Sequence, residues 1–274
     1  EGSGSQVLSS GGDIEITGTN TYSATTNLQT NANVSIPAIT NAGVAGPLGT
    51  GDTIFFSTNA TLHFTGATGE TDREIFLTAS PKIFEAMDVT GGELVLNGPI
   101  VNGADSSTLI KQGAGVLTVT AANTYANDTI VQACTLAFNN TTGSVTGTGD
   151  VTLTGSLGNI ARLSGNGTIS GNVQVNEFAT LDPGTSTGTL TVGGDFSLSE
   201  LSEFVAEIAG RNAGEFDVLD VGGIAVVDGF LTVDLDGGFI PATADEFTIV
   251  TAGTLSGEFA GLLTGSRVLT NSGI

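Results

Sequence analysis

The feature that most constrains the fold of this chain is an internal repeat. The segment Asp13–Tyr22 (DIEITGTNTY) recurs about 100 residues later as Val116–Tyr125 (VLTVTAANTY), and both copies continue with a Thr, an apolar residue and a Gln at matching positions. A shorter Gly-Thr-Gly-Asp repeat occurs at residues 49–52 and 147–150. A unit that recurs in this way is typical of stacked repeat architectures. We expect Tyr22 and Tyr125, which end the two copies, to be equivalent structural anchors.

Alternating apolar and polar residues predict short strands with one buried face, as in residues 61–65 (TLHFT), 116–120 (VLTVT) and 150–154 (DVTLT). Stacking such strand–turn units would place Leu, Val, Ile and Phe ladders inside and Thr, Asn and Asp ladders toward water. We therefore predict an all-β chain folded as a right-handed parallel β-helix (β-solenoid). A sandwich or barrel is the alternative, but these folds more often show two-residue hairpin turns.

The repeat length sets the expected size and organisation of the rod. At about 20 to 25 residues per coil and a rise of ~4.8 Å per coil, the chain would make about a dozen coils and a rod of roughly 55 to 60 Å. We assign residues 1–199 to the β-helix repeat region and residues 200–274 to a C-terminal closing β segment continuous with it. Residues 198–210 alone also allow a helix, because their apolar residues lie three to four apart.

The charge balance restricts the partners. The 274 residues include 6 Lys and Arg against 28 Asp and Glu, a net charge of −22. Phosphate binding needs clustered basic residues, and those here are scattered: Arg73, Lys82, Lys111, Arg162, Arg211 and Arg267. We therefore expect no nucleic-acid partner and no binding to an anionic membrane surface.

The remaining composition limits location and redox chemistry. No apolar run approaches the ~18 residues of a spanning helix, so we expect no membrane insertion. A single cysteine, Cys134, allows neither an intrachain disulfide nor a zinc cluster, and we interpret it as a lone buried or half-buried thiol. The sequence opens Glu1-Gly2-Ser3-Gly4 without an apolar leader, so any targeting peptide is expected to be absent from this chain.

One segment resembles a known family. Leu109–Val119 (LIKQGAGVLTV), followed by Asn123-Thr124-Tyr125 and Thr129-Ile130-Val131, is similar to the autotransporter-associated β-strand repeat of bacterial autotransporter passengers, whose pattern is L-x-K-x-G-x-G-x-L-x-L, then N-T-Y, then T-x-V. Residues 163–192 and 216–262 resemble the closing coils and final segment of such passengers. The resemblance implies a β-helix, strand conformation across residues 198–210 and a secreted or cell-surface location. In this sequence Cys134 stands where the family usually has Gly, and Asn127-Asp128 replaces a usual Gly pair.

Residues that could carry catalysis are few. Gly184–Gly188 (GTSTG) matches the G-x-S-x-G pattern of serine hydrolases, but that elbow needs a strand-to-helix turn and a His after the Ser. The only histidine, His63, precedes it. We interpret the segment as a Gly-rich turn, and His63, between inward Leu62 and Phe64, as a solvent-facing residue.

Carboxylates are the other candidates. The richest stretch holds Glu215, Asp217, Asp220, Asp228, Asp234 and Asp236. Because Asp217, Asp234 and Asp236 flank inward apolar residues, we interpret them as a solvated strand face. Arg73, between Asp72 and Glu74, is the one arginine that the sequence places beside acidic residues. The Gly-Thr-Gly-Asp turns resemble Gly-Asp calcium loops without the tandem nonapeptide, so weak calcium binding stays a hypothesis.

These observations assign no catalytic, cofactor-binding or metal-binding residue, and we expect no cofactor. We predict an extracellular, non-enzymatic structural or adhesive β-helical module, a stalk or fibre on or released from a bacterial surface. The expected partners are further copies of the chain, joined end to end through open sheet edges into a filament, and host or cell-surface glycans or proteins. The alternative is a polysaccharide-active enzyme, a lyase or glycoside hydrolase, on the same scaffold. A cleft with convergent carboxylates would support it.

Overall fold

The computed structural model describes residues 4–8, 13–78, 92–103 and 108–262 with their side chains, and residues 82–86 as backbone. In this part of the chain there are strands and turns but no α-helix, so there is also no helix with the length and apolar character needed to cross a membrane. Every pairing between the named strands is parallel, and the strands stack in about nine turns. The predicted parallel β-helix is confirmed.

The strands form three sheets that run along the rod. The five-stranded sheet contains β1 (Gln6–Leu8), β3 (Thr26–Leu28), β5 (Thr53–Phe56), β8 (Glu74–Leu77) and β11 (Ile100–Asn102). The eight-stranded sheet contains β7 (Thr68–Thr71), β10 (Glu93–Leu96), β13 (Val116–Val119), β15 (Cys134–Phe138), β17 (Ala161–Gly165), β20 (Ala179–Pro183), β23 (Glu203–Ile208) and β25 (Phe230–Leu235).

The thirteen-stranded sheet contains β2 (Asp13–Glu15), β4 (Asn33–Ile36), β6 (Thr61–Phe64), β9 (Lys82–Ala86), β12 (Leu109–Gln112), β14 (Thr129–Val131), β16 (Val151–Leu153), β18 (Thr168–Ile169), β19 (Val173–Val175), β21 (Thr189–Val192), β22 (Phe196–Leu198), β24 (Val218–Val227) and β26 (Val250–Gly257). Residues 198–210 are therefore strand and turn, as the family resemblance implied and against the helical spacing of their apolar residues.

The core consists of apolar ladders, one residue from each turn. In the eight-stranded sheet, Leu94 pairs with Leu117, and the column continues through Leu136, Leu163 and Leu181, all fully buried. Burying one such side chain contributes about 1.5–3 kcal/mol. The period-2 pattern of the sequence thus sets which residues face inward, as predicted.

The predicted dozen coils were too many, because the turns are longer and less regular than expected. Asp13 pairs with Asn33, twenty residues on, whereas Phe196 pairs with Ala225, twenty-nine residues on. Loops such as residues 37–52 lengthen individual turns without adding to the rise. At ~4.8 Å per turn, about nine turns give a rod of roughly 45 Å.

The two copies of the internal repeat do not stack in one ladder. The first copy begins on β2 in the thirteen-stranded sheet, and the second begins on β13 in the eight-stranded sheet. In the thirteen-stranded sheet, β12 lies four strands beyond β2, and β13 is the strand that follows β12 in the chain. The second copy therefore begins four turns beyond the first, and it begins on a different sheet of the β-helix.

Each copy nevertheless makes the same local contacts. The side-chain amide of Asn20 donates to the Pro47 carbonyl at 2.8 Å, and that of Asn123 donates to the Val145 carbonyl at 2.5 Å. In both copies the N-T-Y asparagine thus bonds to the next turn of the helix. The motif closes a corner between turns.

The Gly-Thr-Gly-Asp turns stack directly on these corners. A Cβ on Gly49 would lie 2.5 Å from the Tyr22 carbonyl oxygen, and one on Gly147 would lie 1.9 Å from that of Tyr125. Both glycines also have positive φ, 67° and 58°. Only glycine fits so close an approach between two backbones. The Gly-Thr-Gly-Asp repeats thus allow the backbone of one turn to pack closely against the N-T-Y corner of another.

A candidate acidic groove on the eight-stranded sheet

A polar concave surface lies on the outer face of the eight-stranded sheet. It is a groove of about 350 Å³, which we call the acidic groove. Its polar lining residues come from successive turns: Glu93, Thr118, Thr135, Asn139, Arg162, Ser164, Asp182, Thr185 and Glu207. Outward-pointing residues of parallel strands in register form such a row because side chains alternate between the two faces.

Arg162 and Asp182 form an ion pair inside this groove. Arg162 pairs in register with Thr180, and both its Nε, at 3.1 Å, and its Nη2 donate to Oδ2 of Asp182. The other carboxylate oxygen, Oδ1, is buried and has no hydrogen-bond partner, and Asp182 as a whole is 7% exposed. A buried carboxylate oxygen without a donor is costly and leaves capacity for a ligand donor.

The surroundings raise the pKa of two carboxyl groups of the groove, those of Asp182 and Glu207. Burial raises the pKa of Asp182, Arg162 opposes that shift, and Asp234 and Glu203 add to it. Burial also raises the pKa of Glu207, and the negative charges of Asp182 and Asp236 act in the same direction. Asp182 and Glu207 thus both interact with Arg162. The groove contains three acidic residues, Glu93, Asp182 and Glu207, and one arginine.

Asp217 lies behind the groove and not on its surface. Its Oδ1 accepts the backbone N–H of Gly188 at 2.8 Å, and its Oδ2 accepts that of Glu207 at 2.7 Å. The residue is fully buried, and burial raises its pKa to about 7, against the lowering effect of these two hydrogen bonds. The prediction that Asp217 belongs to a solvated strand face was wrong, because its carboxylate is buried between β23 and the turn that contains Gly188, where both oxygens accept backbone N–H groups.

The other acidic residues of that stretch stay near the surface. Asp220, Asp228 and Asp236 are exposed, and Asp234 is half-buried. Asp220 accepts the Thr251 hydroxyl at 2.6 Å, and Glu215 accepts the Asn212 backbone N–H at 2.9 Å. Among the described residues, no group of three or more His, Cys, Asp or Glu side chains is arranged to hold a metal ion.

Arg73 is not part of any acidic cluster. Its guanidinium is buried among backbone carbonyls, to which it donates from Nε to Thr40 at 2.9 Å, from Nη1 to Leu48 at 2.7 Å and from Nη2 to Gly49 at 2.6 Å. It ties down the loop between β4 and β5. Among the described residues, Arg162 and Arg211 form ion pairs with carboxylates, and sequence neighbours could not reveal the first because Asp182 is one turn away.

The structure separates the residues of the serine-hydrolase pattern. The Ser186 hydroxyl donates to Oδ2 of Asp236 at 3.3 Å in an exposed turn. His63 lies on β6 of the thirteen-stranded sheet, where its Nε2 is hydrogen-bonded to Oδ1 of Asn33. His63 is half-buried and points away from the core, as expected from its neighbours. The two residues are not brought together.

Cys134 is half-buried, and its Sγ lies 2.7 Å from the Ala114 carbonyl oxygen. Its φ is 54°, in the left-handed region that favours glycine. This conformation explains why the family pattern has Gly at this position. The cysteine is a substitution at a backbone corner.

Comparison with known families agrees with the resemblance. Residues 109–138 match the family model described as passenger-associated-transport-repeat, an autotransporter passenger repeat. In the structure these residues comprise β12, β13, β14 and β15, together with the N-T-Y corner. No curated protein matches the chain.

Proposed function

We propose that this chain is part of an extracellular passenger and acts as a non-enzymatic structural and adhesive module of a bacterial surface. The passenger repeat at residues 109–138, built into a continuous β-helix, is the observation that carries this proposal. A rod of stacked turns with buried Leu and Val ladders is stiff, because each turn is bonded along its length to the next. Such a rod holds a binding surface away from the cell.

Removing one turn tests the stalk role. Residues 151–172 run from the start of β16 to the residue before β19, and Val151 pairs in register with Val173. Deleting them joins Asp150 to Val173, a residue that occupies the same ladder as Val151. We expect a folded rod that is shorter by ~4.8 Å, as measured by small-angle scattering and electron microscopy. Global unfolding, or a compact particle of unchanged length, would contradict the proposal.

Adhesion is tested separately on intact protein. Beads coated with the chain should bind glycan- or glycoprotein-coated surfaces, and the passenger presented on cells should be found outside the outer membrane by protease accessibility. Beads that bind none of a broad panel would remove the adhesive part while leaving the stalk role in place.

End-to-end assembly belongs to this proposal. Within the described residues, β25 and β26 are the last strands of their sheets, each bonded on one side. An open strand edge can pair with another chain. The net charge of −22 opposes association at low salt. We expect filaments in electron micrographs at high protein concentration and high salt, and monomers by light scattering under all conditions would refute assembly.

The acidic groove is the observation that favours the alternative, a polysaccharide-active enzyme. Asp182 and Glu207 offer two carboxyl groups with raised pKa values beside Arg162, and such carboxyl pairs serve in glycoside hydrolysis. Incubation with acidic and neutral polysaccharides should release no reducing ends. An activity that disappears in both Asp182→Asn and Glu207→Gln would establish the enzyme instead.

A further inference from the structure

We propose that the corner between the thirteen-stranded and eight-stranded sheets docks a cationic amphipathic helix of a partner protein. This inference deepens the adhesive part of the proposed function by naming the chemistry of the partner. It rests on exposed apolar side chains of four successive turns, which we call the apolar ridge: Leu157 and Ile160 on one turn, then Phe178, Leu201 and Phe230.

The apolar ridge is a concentration of exposed apolar groups. Eleven large apolar side chains are exposed among the described residues, and five of them lie at this corner. Their exposed fractions are 88% for Leu157, 57% for Ile160, 37% for Phe178, 48% for Leu201 and 51% for Phe230. Scattered apolar residues are normal on a protein surface, but a contiguous patch marks an interaction site.

The register of the turns places these residues side by side. Val175 pairs with Leu198 and Thr180 with Glu203, both with an offset of 23 residues, so Phe178 lies beside Leu201. The Phe178 N–H donates to the Leu201 carbonyl at 3.0 Å. On the preceding turn Ala161 pairs with Ala179, which places Ile160 beside Phe178. The row therefore has a spacing of ~4.8 Å.

Leu157 and Phe230 flank this row. Leu157 lies in a turn closed by two hydrogen bonds between Ser156 and Asn159, at 2.8 and 2.9 Å. Beside it is a groove of about 520 Å³ that includes Ala133, Cys134 and Ile160 in its lining. At the other end Phe230 pairs with Glu203, so it lies on the turn beyond Leu201 and two residues further along the strand direction.

Acidic residues border the ridge. The same offset of 23 residues places Glu177 beside Glu200, so two exposed acidic residues lie on adjacent turns next to Phe178 and Leu201. Asp228 follows on the next turn. A cationic partner gains a favourable electrostatic interaction with these carboxylates. A second copy of the chain, which brings the same carboxylates and a net charge of −22, does not.

The spacing selects a helix as the bound segment. Successive turns of an α-helix advance 5.4 Å, close to the ~4.8 Å of the ridge, so one apolar side chain of the helix meets each turn of the rod. Same-side residues of an extended strand are ~6.6 Å apart and lose register sooner. Three steps of the ridge span roughly 14 Å, about ten helical residues. So small a contact predicts a weak, reversible complex.

Two substitutions remove the two central side chains of the ridge, and we expect both variants to fold. Phe178 has a φ of 58°, and Asn adopts this conformation more readily than Phe does, so Phe178→Asn should fold at least as well as the parent. Leu201→Ser removes a side chain from an exposed turn. Val44→Ser and Ile240→Ser, at apolar positions that are 52% and 66% exposed and lie away from the corner, are the matched controls.

The probe is a fluorescent 14-residue Leu/Lys peptide with an amphipathic helical pattern, measured by anisotropy against the folded chain. A peptide of the same composition in scrambled order reports non-specific attraction to the acidic surface, and a Leu/Glu peptide with the same apolar pattern reports the effect of reversing the charge of the peptide. We expect the amphipathic Leu/Lys peptide to bind at least tenfold more tightly than either of them. Phe178→Asn with Leu201→Ser should weaken this binding about tenfold, and the two control variants should leave it unchanged.

Charge is tested with Glu177→Gln and Glu200→Gln, which should weaken binding and flatten its dependence on NaCl concentration. Equal binding of the scrambled peptide, or unchanged binding by the ridge variants, would overturn the proposal. Self-association at the corner that strengthens with salt would assign the ridge to a second copy of the chain and also overturn it. None of these results bears on rod length or bead adhesion, so failure here is distinguishable from failure of the proposed function.

Discussion

The carboxylate of Asp217 accepts the backbone N–H of Glu207 at 2.7 Å, although ten residues separate the two in the chain. With the Gly188 N–H, this bond holds a fully buried acidic group between β23 and the turn that follows β20. Burial raises the pKa of Asp217 to about 7, whereas an unfolded aspartate titrates near 3.8. The position therefore links stability to pH.

Stability should fall as the pH rises. Between pH 3.8 and about 7 the folded state holds a proton on Asp217 that the unfolded state has lost, so the free energy of unfolding decreases as pH rises through this window. Each pKa unit corresponds to about 1.4 kcal/mol, which predicts a loss on the order of 3 kcal/mol between pH 4 and pH 8. Denaturant unfolding at fixed salt measures it.

Asp217→Asn should flatten that dependence, whatever its effect on stability at any one pH. Asp220→Asn is the matched control, because it removes the same charge from an exposed residue three positions away and should preserve the slope. An equal slope in the parent chain and in Asp217→Asn would show that other groups carry the pH dependence.

The N-T-Y tyrosines offer a matched pair for measuring the corner contacts. The Tyr125 hydroxyl lies 2.7 Å from Oγ1 of Thr129, and both residues are buried. The Tyr22 hydroxyl lies 3.0 Å from Oγ1 of Thr26, which also donates to the Leu48 carbonyl at 3.2 Å. Removing the first hydroxyl isolates a buried threonine, and removing the second does not.

Tyr125→Phe should therefore lower the free energy of unfolding by about 2 kcal/mol, the cost of a lost hydrogen bond with a buried group left unpaired. Tyr22→Phe should cost about 0.5–1 kcal/mol. Equilibrium unfolding in urea measures both. Equal losses in the two variants would mean that the copies are energetically equivalent and that the second bond of Thr26 contributes nothing.

The sequence predicts the ladders of this fold but not the contacts between turns. Alternation assigns Leu62 and Phe64 to the core and His63 to the outer face, because the side-chain period of a strand is two. Which outward residues become neighbours depends on the length of each turn, and those lengths vary. Arg162 meets Asp182 twenty residues later, whereas Glu203 meets Thr232 twenty-nine residues later. Alternation carries no information about these offsets, so the acidic groove and buried Asp217 were missed.

Cys134 provides a test of backbone strain. At a φ of 54° an L-residue is disfavoured by roughly 1 kcal/mol relative to glycine, while the Sγ contact with the Ala114 carbonyl opposes substitution. Cys134→Ala loses that contact and keeps the strain, and Cys134→Gly loses the contact and relieves the strain. We expect Cys134→Gly to exceed Cys134→Ala in free energy of unfolding by about 1 kcal/mol, measured under reducing conditions. The reverse order would show that the corner is not strained.

Arg73 should be the most sensitive of the described basic residues to a conservative change. Its planar guanidinium donates in different directions to the Thr40, Leu48 and Gly49 carbonyls, and a lysine ammonium cannot reach all three because its donors radiate from one atom. Arg73→Lys should lower the free energy of unfolding by about 2–4 kcal/mol, since it leaves buried carbonyls unpaired around a charge. Arg211→Lys is the control, because Arg211 is exposed and bonds Asp245 at 2.7 Å. Limited proteolysis locates the effect within the chain. In Arg73→Lys, but not in Arg211→Lys, cleavage within residues 40–49 should precede global unfolding. Unchanged protection of this loop in Arg73→Lys would show that the turns of the loop, and not Arg73, hold it in place.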